Sequence, residues 1–167
     1  MPIGGIPTKL EIIEAYDRPE TIRALFSEYT QLLVDSDPSF RAYLELQHYD
    51  REFLHPEEKY ALPNGRLYLA LCDGIPAGCI ALRPLDGARC EMKRLYVRPA
   101  FRGQKIGLKL VERILSDARA IGCRKIFLDA LPCLENALCL YRSLGFYEIP
   151  AYNDSPVDAS VFLCLDL

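Results

Sequence analysis

With 167 residues, 50% of them apolar and 26% charged, the chain reads as a single globular domain over residues 1–167, which argues against disordered, collagen-like and coiled-coil classes. A formal net charge of −3 offers no general basic surplus for a nucleic-acid backbone, and no stretch approaches the roughly 20 apolar residues of a membrane span. Seven scattered cysteines without a C-x-x-C pair read as buried, reduced packing thiols, and with His48 and His55 as the sole imidazoles no metal site is expected.

The N-terminal MPIGGIPTKL lacks the apolar core of a signal peptide, so the expected compartment is cytoplasmic. Residues 9–16 (KLEIIEAY) are isoleucine-rich and stop before Asp17 and Pro19, as a first strand does. From Pro19 to Val34, Ile22, Leu25, Phe26, Tyr29, Leu32 and Leu33 recur at helical spacing. Residues 38–62 show no single period and predict one or two short helices with loops. Pro63-Asn64-Gly65 marks a turn, and Asp73-Gly74 between RLYLALCD and IPAGCIALRPL predicts a hairpin. A second break at Asp86-Gly87 leads into the strand CEMKRLYV, which Pro99 stops.

A helix is expected from Gln104 to Gly122, with Leu110, Val111, Ile114, Leu115 and Ala118 on one face. The strand KIFLDAL follows, then a helix over 134–144 ended by Gly145. FYEI and SVFLCLDL read as closing strands around a loop holding Pro150 and Pro156. The fold class is α/β: a mixed sheet, antiparallel early, with one strand-helix-strand crossover and helices on its faces.

The stretch FRGQKIG joins a strand to a helix and so leaves backbone amides free at a helix start, where an anion can sit. Gly103 and Gly107 permit a close approach, and the segment from Met92 to Val111 holds Lys93, Arg94, Arg98, Arg102, Lys105 and Lys109 without an Asp or Glu. Spacing excludes the G-x-x-x-x-G-K-[ST] and G-x-G-x-x-G phosphate loops. A plain connection over a solvated basic face fits the spacing equally well. A nucleic-acid domain using this basic patch is a further, less favoured reading.

Arg102-Gly103-Gln104-Lys105-Ile106-Gly107, after LYVRPAF and before LKLVERIL, resembles the acyl-CoA signature [QR]-x-x-G-x-[GA] of the GNAT superfamily of N-acyltransferases. Lys105 is the one departure, standing where the first glycine usually lies. CEMKRLYV resembles the family's fourth strand, and NALCLYRSLGFYEI its later helix-strand motif, so the likeness covers roughly residues 66–150 and is that of a small stand-alone member of bacterial type. It implies the GNAT fold: a mostly antiparallel central sheet with a splayed parallel strand pair, flanked by helices.

The resemblance also implies a function: transfer of an acetyl group from acetyl-CoA to a primary amine by direct attack, without a covalent enzyme intermediate or a metal. Residues 102–107 (Arg102, Gly103, Gln104, Lys105, Ile106 and Gly107) are then expected on the pyrophosphate. Leu95, Tyr96 and Val97 are expected along the pantetheine arm. Asn136 is expected to hydrogen-bond that arm, or else to cap its helix. Glu91 is the candidate base, with a pKa raised by apolar burial; alternatively it pairs with Lys93 or Arg94, or faces solvent. Tyr141 is the candidate acid for the leaving thiolate, acting near the ordinary tyrosine pKa, or else a core residue packed on Ala137 and Leu144. Cys133 and Cys139 read as packing residues.

The partners expected are a small-molecule or peptide amine acceptor, no nucleic acid and no membrane, with a homodimer left open. Acidic residues outnumber basic ones between Glu11 and Glu58, which suggests either a cationic acceptor or a solvated surface. Tyr147 and Tyr152 are expected to border the acceptor pocket. The competing reading is a non-catalytic acyl-CoA sensor of the same fold.

Overall fold

In β2, alternate side chains serve two different cores. The computed structural model describes residues 9–46, 48–154 and 160–167, so the expectations placed on MPIGGIPT and on Pro156 lie outside the described residues. The elements are β1 Leu10–Glu14, α1 Pro19–Ser36, α2 Phe40–Leu46, α3 Tyr49–Leu54, α4 Pro56–Lys59, β2 Arg66–Cys72, β3 Ile75–Asp86, β4 Arg89–Val97, α5 Ile106–Ile121, β5 Lys125–Ala130, α6 Glu135–Ser143, β6 Tyr147–Glu148 and β7 Val161–Asp166. Among the described residues the strands form one seven-stranded sheet in the order β1-β2-β3-β4-β5-β7-β6.

Tyr68, Ala70 and Cys72 face α5, where Leu110, Val111, Ile114 and Ala118 complete one core. Leu67, Leu69 and Leu71 face α1, where Ile22, Leu25 and Phe26 complete the other. Burial on both faces is why these strands read as unbroken apolar runs.

Every pairing in the sheet is antiparallel except that of β4 with β5, the product of the crossover through α5. That parallel ladder covers only Arg89↔Lys125, Cys90↔Ile126 and Glu91↔Phe127. Beyond it the strands separate, although β4 continues to Val97 and β5 to Ala130. β4 also bulges: its register against β3 passes from Cys79↔Tyr96 to Ala81↔Lys93, and Arg94 takes a left-handed φ of 61° to accommodate the extra residue.

Two expectations are corrected. The region 38–62 holds three short helices rather than one or two, because each of α2, α3 and α4 is too brief to show a helical period. The helix expected from Gln104 starts at Ile106, since Gly103 (φ 82°) and Lys105 (φ 62°) are left-handed and lie outside any right-handed helix. No helix of the described residues is long and apolar enough to cross a membrane.

Candidate active site

The loop after β4 makes a 3-10 turn at Pro99–Phe101 and then delivers the start of α5 to the mouth of the gap between β4 and β5. The first intrahelical bond of α5 is donated by Lys109 N to Lys105 O at 3.1 Å, so the amides of Ile106, Gly107 and Leu108 precede it and point outward unused. No side chain caps them. Arg102, Gly103, Lys105, Ile106, Gly107 and Leu108 line a groove that continues along Leu95, Tyr96 and Val97 to Asn136, Ala137 and Leu140, enclosing about 1520 Å³ of empty space, part of it open to solvent. Positive dipole, bare amides and two cations at one end of an apolar trough suit a ligand with a phosphate head and a thin, mostly apolar arm.

The expected groove residues are brought together there, Gln104 excepted. Gln104 does not line the groove; its Oε1 is buried without a hydrogen-bond partner among the described residues. Asn136 stands inside α6, whose N-cap is Leu134 and which has no side-chain cap bond, so Asn136 is not a capping residue and its exposed amide faces the groove.

The six basic residues from Lys93 to Lys109 do not form one patch. Arg98 is spent on Glu28 (Nη2 to Oε1, 2.7 Å) and on the Pro76 carbonyl. Arg94 is buried and clasps Glu52 of α3 through Nε to Oε2 at 2.6 Å and Nη2 to Oε1 at 2.9 Å. Lys59 adds a third bond to the same carboxylate at 2.6 Å. Burial works to raise the Glu52 pKa, but Arg94 and then Lys59 override it and hold the carboxyl well below its usual range. Arg102 and Lys105 alone among the six reach the groove.

A second, tighter cleft opens where β4 and β5 part. Its lining includes Tyr29, Tyr43, Lys93, Leu95, Asp129 and Tyr141. Tyr29 and Leu95 belong to both clefts, so the two adjoin. Tyr141 is buried, its ring 5.7 Å from that of Phe146, and its hydroxyl has no hydrogen-bond partner among the described residues. Burial, then the neighbouring Tyr29 and Asp129, push its pKa far above the ordinary tyrosine value, which corrects the expectation of an unperturbed group. Asp129 is half-buried on β5, accepts a hydrogen bond from the Tyr43 hydroxyl, and lies 3.4 Å from Asn153 Nδ2.

Glu91 lacks the raised pKa expected of a base and instead pairs with cations, as the alternative had it, Lys93 Nζ lying 3.8 Å from its Oε1. It is 2% exposed and lines neither cleft. Its Oε1 accepts from Arg83 Nε at 2.7 Å and its Oε2 from the Tyr152 hydroxyl at 2.6 Å. Burial acts to raise its pKa, but Lys93, Arg83 and Tyr152 prevail and lower it. The apolar setting that would have tuned it upward is absent because β3 places Arg83 directly opposite it in the ladder.

The acidic count of residues 11–58 does not reach the cleft either: α1 and α2 contribute Tyr29, Leu33, Phe40 and Tyr43 to its wall. Tyr152 touches Glu91, whereas Tyr147 is exposed and bonds Asp166 at 2.9 Å, so neither lines the cleft. Cys133 and Cys139 are exposed rather than packed, and Cys133 lies on the groove. Among the described residues no group of three His, Cys, Asp or Glu side chains is placed to hold a metal ion. Asp129, which sequence reasoning passed over, and Lys93, which it read only as part of the basic segment or a partner of Glu91, both line the cleft; CEMKRLYV and KIFLDAL contain them, but nothing in either string says where the two strands stop pairing.

The sequence profile of the Acetyltransferase (GNAT) family matches residues 22–146. An uncharacterized N-acetyltransferase of Schizosaccharomyces pombe is 35% identical over 150 residues, covering 89% of this chain and 88% of its own. Among solved structures, an acetyltransferase from Streptococcus agalactiae is similar with a TM-score of 0.76 at 24% identity, over 96% of this chain and 99% of that one. The PaiA N-acetyltransferase of Thermoplasma acidophilum, solved in complex with coenzyme A, is similar with a TM-score of 0.75 at 18% identity, over 96% and 100% of the two chains.

Proposed function

Because the chain belongs to the Acetyltransferase (GNAT) family, we propose that it is an N-acetyltransferase that moves an acetyl group from acetyl-CoA to a primary amine by direct attack in a ternary complex. The observation that carries this reading is that the phosphate-suited groove and the cleft holding Tyr141 and Asp129 adjoin, with Tyr29 and Leu95 lining both. The coenzyme A complex of the Thermoplasma relative supports the same use of the groove.

The groove fits coenzyme A on its own chemistry. The Ile106, Gly107 and Leu108 amides, with Arg102 and Lys105, hold the diphosphate; Val97, Leu134, Ala137 and Leu140 enclose the pantetheine arm, and Asn136 bonds one of its amides. Bound acetyl-CoA supplies an activated acyl carbon and a thiolate leaving group. Holding that carbon against an amine contributes on the order of 7–11 kcal/mol through orientation and entropy. Tyr141 stays protonated at every working pH, because burial raises its pKa, and its hydroxyl donates a hydrogen bond to the departing sulfur. The proton leaving the amine goes to Asp129, directly or through water. Glu91 keeps Tyr152 and Arg83 in place and does not contact the acceptor. The free cysteines agree with a cytosolic setting.

The test is thiol release from acetyl-CoA across a panel of amines. Turnover is expected, and Tyr141→Phe should lower kcat by roughly 10- to 1000-fold while coenzyme A still binds in calorimetry. Tight coenzyme A binding with no thiol release on any amine would identify a sensor instead.

A further inference from the structure

Lys93 is unusual in how little holds it. Its side chain is 5% exposed and lines the cleft, yet it makes no hydrogen bond to any described residue. Its partner within ion-pair range, Glu91 Oε1, is 3.8 Å away, beyond hydrogen-bond reach, and both Glu91 oxygens already serve Arg83 and Tyr152. The other charges around it are committed as well: Arg94 and Lys59 to Glu52, and Asp129 to Tyr43 and Asn153. A buried ammonium without a close acceptor among the described residues is costly, and an anionic ligand entering the cleft would offset that cost.

We propose that Lys93 receives a carboxylate of the acceptor, so that the substrate class is a small amine carrying a carboxylate, its amino end toward Asp129 and Tyr141 and its acid end on the Lys93 ammonium. This deepens the acetyl-transfer reading above and rests on it for the position of the amine. Three features support the pairing. Lys93 and Asp129 line one cleft with opposite charge, as a zwitterion requires. The walls contributed by Leu33, Phe40 and Leu131 are apolar and strengthen a charge pair formed between them. The pKa of Lys93 is lowered to about 8, first by burial and next by Arg94, and a carboxylate arriving beside it would restore the charged form. Lys93 is thereby a binding residue rather than the base; as a base it would serve every amine alike.

Matched pairs that differ only in the carboxylate test this: phenylalanine against phenethylamine, lysine against 1,5-diaminopentane, and 4-aminobutyrate against propylamine. Thiol release should favour the acid-bearing member of at least one pair by roughly 10- to 100-fold in kcat/KM, mainly through KM. Lys93→Met should collapse that preference, and Lys93→Arg should retain part of it. Equal kcat/KM within every pair, a preference that survives Lys93→Met, or a Lys93→Met loss confined to kcat and equal within each pair would overturn the proposal. If no amine turns over, acetyl transfer fails as a reading, and calorimetry of the same amino acids with the coenzyme A-saturated protein decides this one. Binding weakened by Lys93→Met upholds it; no binding by any of them rejects it.

Discussion

Burial of Lys93 lowers its pKa to about 8 from an ordinary 10.5, through lost hydration first and the Arg94 guanidinium second. Between those two values the unfolded chain holds more protons than the folded one, so the cost of burying the charge is full below about pH 8, fades as the pH rises toward 10.5 and is gone above it. Lys93→Met should therefore stabilise the protein at pH 7 by on the order of 1–3 kcal/mol in denaturant titrations, with the gain shrinking toward pH 10. A variant that is less stable at pH 7 would mean that Lys93 has a structural partner. Glu91 teaches the complementary lesson. Its residue type and its place on β4 were legible in the string CEMKRLYV, but the Arg83 opposite it depends on the β3–β4 register, which composition does not encode.

At the level of elements, the loop before α5 shows why a glycine is the common choice where Lys105 stands. A left-handed φ of 62° crowds the Cβ of any other residue, and here the lysine side chain is retained at that cost. Lys105→Gly should raise thermal stability by up to about 1 kcal/mol while weakening coenzyme A binding through the lost cation, most visibly at low salt. Tighter binding by the variant would mean that closer backbone approach outweighs the charge. The same loop marks what was readable. Two glycines and a following amphipathic run placed the uncapped helix start, because helix starts and turns are local. The bulge at Arg94 and the number of short helices in 38–62 were not readable, since the first depends on the pairing with β3 and the others are held by tertiary contacts such as the Glu52–Arg94 clasp.

For the whole molecule, one sheet brings distant segments to one opening: α1 and α2 supply Tyr29 and Tyr43, β4 Lys93, β5 Asp129 and α6 Tyr141. The order of strands and helices was legible from punctuation and periodicity along the chain. The cleft was not, because it is created where the β4–β5 ladder stops after Glu91. Assembly of both substrates in adjoining clefts predicts intersecting, not parallel, double-reciprocal plots. Cys133, exposed on the groove, should be replaceable by Ser without a change to parallel kinetics; a ping-pong pattern abolished by Cys133→Ser would make it an acyl carrier.

That early parting of β4 from β5 has a signature in solution. Beyond the ladder, the main-chain groups of residues 92–97 on that edge have no strand beside them, and on the proposed function a thiol-bearing cosubstrate would complete the seam. Deuterium uptake along 92–97 should therefore slow once coenzyme A is added, while the β2–β3 hairpin, already stitched on both edges, keeps its rate.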